Sequence, residues 1–129
     1  MNRRGPILEP MGHDHSQCPK FAAAMDVLAK PWTGLLIVTL EDGPLRFSEI
    51  GQRAGPIGDR MLSVRLRELE TRGLVVRSVV PGPPVRVEYA LTEVGRGFRE
   101  VAAAMSKWGD ALLDAQREAE KSAAGRRSA

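Results

Sequence analysis

Residues 59–73, with the sequence DRMLSVRLRELETRG, decide how this chain folds. Leu62, Leu66 and Leu69 recur at the three- and four-residue steps that place side chains on one face of an α-helix. A second, polar face points away from these leucines and is formed by Arg60, Ser63 and Arg67. The stretch therefore predicts a helix that is anchored by leucines and presents cations outward.

A helix and a tight turn are predicted directly before the basic helix. Residues 46–54 have a helical pattern in which Phe47 and Ile50 face inward. The sequence GPIG at residues 55–58 is typical of a tight turn. Two consecutive helices joined by such a turn form a helix-turn-helix unit.

A β-ribbon is predicted directly after the basic helix. Gly73 suits the C-terminal end of that helix. Residues 74–80 form an apolar strand pattern, residues 81–84 form a proline-glycine turn, and residues 85–91 alternate as in a half-buried strand. We therefore predict a mainly α fold with a small antiparallel β-ribbon, the winged helix-turn-helix that grips duplex DNA.

Two helical segments are predicted before this unit. Proline suits the first position of a helix, so Cys18 is the predicted N-cap and Pro19 the first residue of a helix that ends near Pro31. The β-branched residues in 32–40 would also suit a buried strand. The proline before this run and the sequence EDGP after it favour a short buried helix.

The last predicted helix carries a long apolar stripe. Thr92 is its predicted cap, and Gly109 is expected to bend or break it. The stripe recurs at steps of four and three, as in a coiled-coil seam, and consists of Val94, Phe98, Val101, Met105, Trp108 and Leu112. It could pack on the chain's own core. We expect instead a homodimer whose interface contains Phe21, Met25, Val101, Met105, Trp108 and Leu112.

Composition is compatible with one DNA-binding domain. The chain has 129 residues, a formal net charge of +3 and a pI of about 9.5, which favours polyanionic partners. No apolar run approaches the roughly 20 residues that cross a bilayer, and no secretory signal is visible, so we expect the bacterial cytoplasm. The predicted division is a disordered tail over 1–17, a DNA-binding and dimerisation domain over 18–121, and a disordered tail over 122–129.

Eight residues are predicted to contact DNA. In the major groove, arginine can pair with guanine, and valine or serine can touch a thymine methyl group. A helix N-terminus can hold a phosphate, and a ribbon tip can reach a phosphate or the minor groove. The candidates are Arg46, Ser48, Asp59, Arg60, Ser63, Val64, Arg67 and Arg86. The alternative is a solvated helix face with Arg–Glu pairs.

The sequence does not predict an enzyme, a cofactor or a metal site. It contains no evident nucleophile–base pair and no glycine-rich phosphate loop. His13, Asp14, His15 and Cys18 lie close in sequence, but their spacing matches no common zinc pattern.

The ordered set of motifs resembles the HxlR-type bacterial transcriptional regulators, relatives of the MarR winged-helix group. The most specific pieces are RFSE at 46–49, LRELE at 66–70 and VEYALT at 87–92, and the resemblance covers about residues 18–109. It implies a homodimer that binds operator DNA, dimerises through its first and last helices and has no catalytic site. Gly58 departs from a serine that usually caps the recognition helix, and Val64 replaces a commonly polar residue.

The resemblance also implies a role for Cys18, the single cysteine. Several regulators of this type use a cysteine at this place as a thiol sensor, and a helix N-terminus with Lys20 nearby favours the thiolate. Oxidation would join two subunits or form an adduct and so change the spacing of the recognition helices. The alternative is a structural cysteine at the dimer interface.

We therefore expect a homodimeric repressor that binds an inverted-repeat operator and responds to thiol oxidation. One alternative is the same regulator controlled by a small apolar ligand near Trp32 or Trp108. Another is a winged-helix protein–protein module that does not bind DNA.

Overall fold

The computed structural model describes residues 17–128, with side chains from 19 to 127. Its helices and strands are, in chain order, α1 (Gln17–Leu28), α2 (Thr33–Thr39), β1 (Leu45–Arg46), α3 (Phe47–Ala54), α4 (Asp59–Thr71), β2 (Val75–Val80), β3 (Arg86–Leu91), α5 (Glu93–Arg96) and α6 (Phe98–Ser128). The pair α3–α4 is the helix-turn-helix, and the hairpin β2–β3 is the wing. The predicted fold class is confirmed.

The leucine face of α4 is the centre of the core. Leu62, Leu66 and Leu69 are fully buried, as the helical spacing predicted. They cluster with buried residues of α2 and α3, among them Leu36 and Ile50. The run after Pro31 is therefore the short buried helix, and burial in this cluster outweighs the modest strand preference of its β-branched residues.

The C-terminal end of α4 is closed by Gly73. Its φ of 79° lies in the left-handed region that glycine adopts without strain. The N–H of Leu74 donates to the carbonyl of Leu69 at 2.9 Å, and the N–H of Gly73 donates to that of Glu70 at 3.0 Å. These bonds satisfy the last helical carbonyls and turn the chain sharply into the wing.

The wing belongs to an antiparallel sheet of order β1-β3-β2 within the described residues. β2 and β3 pair from Val75 opposite Leu91 to Val80 opposite Arg86. Sequence analysis predicted this ribbon but missed β1, which pairs Leu45 with Tyr89. A strand of two residues is too short to show an alternating pattern.

The start of α1 and the course of α6 differ from prediction. α1 begins at Gln17, so Cys18 lies in its first turn and is not the N-cap. Most of the predicted N-terminal tail, together with His13, Asp14 and His15, falls on residues 1–16, outside the described part.

α6 runs unbroken from Phe98 to Ser128, so Gly109 neither bends nor ends it. Residues 122–128, predicted as part of a disordered tail, are its last turns. One interior glycine costs only about 1 kcal/mol relative to alanine, and the many alanines and charged residues nearby favour helix. The interruption lies earlier, at Gly97 between α5 and α6.

Among the described residues, no single helix is both long and apolar enough to span a membrane. Residues Pro19–Leu28 and α2 meet the criterion only as a pair bent by 82°.

Candidate nucleic-acid interface

The outer face of α4 borders an open groove of about 640 Å³. The residues that line it are Lys30, Arg60, Ser63, Val64, Arg67, Glu68, Thr71 and Arg72. Four of the eight predicted DNA contacts, Arg60, Ser63, Val64 and Arg67, are therefore brought together on one surface, and all four are exposed. Their common orientation follows directly from the burial of the leucines on the opposite face.

The groove keeps a positive charge after its ion pairs are counted. Lys30 Nζ lies 3.2 Å from Glu68 Oε2, and Arg72 Nη2 lies 2.6 Å from Asp26 Oδ2. Within the described part of the chain, Arg60 and Arg67 form no ion pair. The Arg–Glu pairing that would neutralise this face is therefore not seen at its two outermost arginines.

The start of α3 holds Arg46 and Ser48, which are both exposed. The Arg46 N–H donates to Glu49 Oε1 at 2.8 Å, and Arg46 Nε lies 3.7 Å from the same oxygen. The backbone hydrogen bond, followed by the charges of Arg46 and Arg53, lowers the pKa of Glu49. This carboxylate stabilises the helix N-terminus and fixes Arg46 at its entrance.

The N-terminus of α4 has no side-chain cap. Gly58 is the N-cap, with its carbonyl accepting from the Leu62 N–H at 2.9 Å. Asp59 is the first helical residue and is exposed, so it contributes a negative charge to the first turn and does not serve as the cap.

The wing presents Arg86 at the start of β3, where its Nε lies 3.7 Å from Glu88 Oε2. Arg46 is the register partner of Glu88 in the sheet. The short strand β1 therefore brings the entrance of α3 beside the wing.

Three basic residues around α4 were not predicted from the sequence. Lys30 and Arg72 line the groove, but they follow the ends of α1 and α4. They therefore do not belong to the helical spacing that relates Arg60, Ser63 and Arg67. Arg65 is 8% exposed and lies on the leucine face. Its position three residues after Leu62 already indicated that face, whereas Lys30 has no comparable signal because only the fold brings it to the groove.

The residues predicted for a dimer interface are exposed in the single chain. Trp108 is 67% and Phe21 68% exposed, and Met25, Val101, Met105 and Leu112 are also on the surface. Most of the stripe of α6 therefore does not pack on the chain's own core. Phe98 is the exception, because it packs against the core.

An apolar cleft of about 270 Å³ lies between α1 and the start of α6. It is lined by Ala24, Val27, Leu28, Ile37, Leu74, Val94, Gly97, Phe98 and Val101. Neither Trp32 nor Trp108, near which an apolar ligand was predicted, lines it. Cys18 lies in α1, the same helix that forms one wall, but its side chain is outside the described part.

The chain was compared with known proteins by sequence. Residues 27–117 match the family of the HxlR-like helix-turn-helix. The HTH-type transcriptional regulator YodB of Bacillus subtilis (strain 168) is 44% identical over 100 residues, which are 78% of this chain and 89% of YodB. YvaP, an HTH-type regulator of the same organism, is 42% identical over 97 residues, which are 75% of this chain and 90% of YvaP.

Solved structures agree with the sequence comparison. The reduced form of YodB from B. subtilis has a TM-score of 0.69 at 45% identity and covers 72% of this chain and 91% of its own. Quinone-bound YodB has a TM-score of 0.64 at 42% identity, covering 72% and 98%. The redox regulator HypR in its reduced form has a TM-score of 0.69 at 36% identity, covering 77% and 98%. The chain therefore belongs to the HxlR family of helix-turn-helix transcriptional regulators.

Proposed function

We propose that this regulator is a homodimeric repressor that places α4 in the major groove of an inverted-repeat operator. The observation that carries the proposal is the exposed groove face of α4, where Arg60 and Arg67 stand without ion pairs among the described residues. Arg60 and Ser63 would contact base edges, and Val64 offers a thymine methyl group an apolar contact.

Phosphate contacts would set the register of α4 on the duplex. Arg46 at the entrance of α3 and Arg86 on the wing flank the helix-turn-helix, where the sugar-phosphate backbone would pass. Both guanidinium groups stay partly solvent-exposed beside Glu49 and Glu88, so a phosphate could compete for them. Affinity should therefore fall steeply as salt rises.

Two subunits would meet through α1 and α6. The exposed side chains Phe21, Met25, Met105 and Trp108 form apolar surface of the kind that subunit interfaces cover. A symmetric dimer would place two copies of α4 in successive major grooves, about 34 Å apart, which requires an inverted repeat.

The signal is proposed to act at Cys18. YodB has been solved in reduced, diamide-treated and quinone-bound forms, and HypR in reduced and oxidised forms. In this chain, two Cys18 thiols would give two protons and two electrons to diamide as one disulfide forms between subunits. With a quinone, the thiolate would instead add to a ring carbon and form an adduct. Either product would alter α1 and the spacing of the two copies of α4.

Selection of duplexes from a random-sequence pool tests the proposal. We expect an enriched inverted repeat, protected over two half-sites, and release of that duplex after diamide treatment. The Cys18→Ser protein should bind the same duplex and keep it in diamide. No enrichment of any duplex would contradict operator binding and favour a protein–protein module. Release of the duplex by the Cys18→Ser protein would contradict the thiol signal alone.

The cleft between α1 and α6 supports a second candidate signal, a small apolar ligand. Its walls are almost wholly aliphatic or aromatic, and it adjoins both helices proposed for dimerisation. A ligand there would act without Cys18, so operator release in the Cys18→Ser protein would be retained. Filling the cleft by Ala24→Leu should then abolish release, with Ala104→Leu on the exposed surface of α6 as the matched control.

A further inference from the structure

Arg65 is buried where the pattern of α4 places leucines. It is 8% exposed and follows Leu62 by three residues, so its side chain enters between the core and the preceding helices. Among the described residues, Arg65 is the one charged residue that is buried. A buried guanidinium is costly unless its N–H groups find partners.

One partner comes from the junction between α1 and α2, and the other is a residue of α4 itself. Arg65 Nε donates to the carbonyl of Pro31 at 2.9 Å, and Arg65 Nη1 donates to Glu68 Oε1 at 3.2 Å. Glu68 also accepts from Lys30 Nζ at 3.2 Å. The hydrogen bond from Lys30, together with the charges of Lys30 and Arg65, lowers the pKa of Glu68 and keeps it ionised.

The junction itself has a defined shape. Trp32, at the N-cap of α2, has a φ of 75°, a left-handed value that non-glycine residues rarely adopt. Two turns after Arg65, at the C-cap of α4, Arg72 bonds to Asp26 of α1 at 2.6 Å. The C-terminal half of α1 and the turn after it therefore hold α4 by directed polar contacts along one side.

We propose that Arg65 is a positioning residue that fixes the rotation of α4 about its own axis and so aims the DNA-contacting face. The proposal rests on the function proposed above. Arg65 itself would not touch DNA, because its side chain is buried and does not line the groove.

The physical reason is the difference between apolar packing and hydrogen bonding. Burial of Leu62, Leu66 and Leu69 is non-directional and resists withdrawal of α4 from the core more than a small rotation or slide. A hydrogen bond weakens steeply when its angle departs from linearity. The bond from Arg65 to Pro31 crosses from α4 to the junction before α2, as does the bond from Lys30 to Glu68, and together they select one rotation among several of similar apolar burial. The bond from Arg65 to Glu68 lies within α4 and holds the Arg65 side chain in place for this contact.

The test uses full-length Arg65→Met protein and two DNA probes. One probe is the duplex that the wild-type chain selects from a random pool, and the other is a shuffled version of it. Methionine has a similar length and suits a leucine face, and Glu68 stays partly exposed and paired with Lys30, so the variant leaves no buried charge unpaired and should fold. We expect the ratio of the two affinities to fall about tenfold, comparable to the loss of one base contact.

Arg96→Met is the matched control. Arg96 Nη1 also donates to a backbone carbonyl, that of Leu91 at 3.1 Å, but this bond lies at β3 and not at α4. Loss of an arginine with a purely structural role should lower the free energy of unfolding and leave the affinity ratio unchanged. This is the result expected for Arg96→Met. An unchanged ratio in Arg65→Met would overturn the positioning role.

Glu68→Gln keeps the proposal open to refutation if Arg65→Met does not fold. This variant removes the charge that Arg65 and Lys30 share and leaves the bond to Pro31. It should raise affinity for both probes, because a negative charge leaves the groove, and lower their ratio. An unchanged ratio would again overturn the proposal. If the wild-type chain selects no duplex, both operator binding and the positioning role of Arg65 are contradicted. If it selects a duplex but the wild type and the variants have the same affinity ratio, only the positioning role is contradicted.

Discussion

The hydroxyl of Thr92 donates a hydrogen bond to the carbonyl oxygen of Gly73 at 2.7 Å and so joins the base of the wing to the end of α4. The hydroxyl oxygen of Thr92 also accepts from the Gly95 N–H at 3.1 Å, and the Thr92 N–H donates to the carbonyl of Leu74 at 3.0 Å. One residue therefore caps α5 and fastens the wing to α4, which links the angle between these elements to a single hydroxyl group.

Replacement of Thr92 by valine should destabilise the fold by about 1–2 kcal/mol, because it removes both the N-cap and the bond to Gly73 without changing side-chain volume. Urea unfolding followed by circular dichroism measures the loss. Thr92→Ser retains the hydroxyl and should recover most of it. A stable Thr92→Val protein together with a destabilised Thr92→Ser protein would show that the methyl group matters and the hydrogen bonds do not.

Replacement of Gly95 by alanine should be destabilising. A Cβ at this position would lie 2.2 Å from the carbonyl oxygen of Leu74, so the backbone must move apart at a cost of about 1–3 kcal/mol. Gly125→Ala in α6 is the control, since no atom lies within 4 Å of its Cβ and alanine favours helix by up to about 1 kcal/mol. The midpoint of thermal unfolding should therefore fall in Gly95→Ala and rise in Gly125→Ala. An unchanged midpoint in Gly95→Ala would contradict the close packing of Gly95 against Leu74.

Stability should decline in acid through Glu68 and Glu49. The hydrogen bond from Lys30 lowers the pKa of Glu68, and the backbone bond of Arg46 lowers that of Glu49, below the ordinary value of 4.5. A lowered pKa means that stabilisation is present above the ordinary value and lost as pH falls through the folded-state value. The urea midpoint should fall across that range, and the effect should be small because both carboxylates are partly exposed to solvent.

The double variant Glu49→Gln, Glu68→Gln should flatten this acid-induced loss of stability. Glu120→Gln, an exposed carboxylate on α6, serves as the control and should leave the pH profile as in the wild type. An identical slope in the double variant would assign the acid sensitivity to other carboxylates.

Trp108→Glu should convert the proposed dimer to monomer. Its indole is exposed on the stripe of α6, so a carboxylate there would be buried without a partner in a two-subunit interface. Sedimentation velocity gives the oligomeric state. Lys107→Glu changes charge at the next residue, on the other side of the helix, and should leave assembly intact. A dimeric Trp108→Glu protein would exclude this stripe as the interface.

Arg86→Ala and Arg60→Ala should weaken DNA binding in different ways. Loss of a phosphate contact at Arg86 should lower the slope of log affinity against log salt by about 0.9 and affect all duplexes alike. Loss of a base contact at Arg60 should cost about 1–3 kcal/mol on the selected duplex only. Titrations of selected and shuffled duplexes at several salt concentrations separate the two. Full sequence preference in Arg60→Ala would remove that residue from base readout.

Local patterns were sufficient for the parts of this fold that depend on neighbours in sequence. The spacing of Leu62, Leu66 and Leu69 predicted the buried face of α4, and Gly73 predicted its end. The alternation after residue 85 predicted β3, the central strand of the sheet. The helical face that carries Arg60, Ser63 and Arg67 followed from the same spacing, because a regular helix relates its two faces by fixed angles.

Predictions from local sequence were wrong in two kinds of place. In one, a single residue that disfavours helix lies within a long helix. In the other, a strand is too short to show an alternating pattern. Gly109 was expected to break α6, but its preference against helix is small beside thirty other residues that propagate it. Strand β1 was not predicted because two residues are too few to show an alternating pattern. It forms because Leu45 and Arg46 pair with β3 in the folded chain.

Sequence by itself determined which residues of α4 are buried, which face outward, and where the helix stops, since these depend on chemistry repeated within one turn or two. Tertiary structure alone decided that Lys30 reaches the groove, that Arg65 bonds to Pro31, and that Arg46 stands beside the wing. Those relationships join residues more than thirty positions apart, and no periodicity records a contact that arises only when separate helices pack around a shared core.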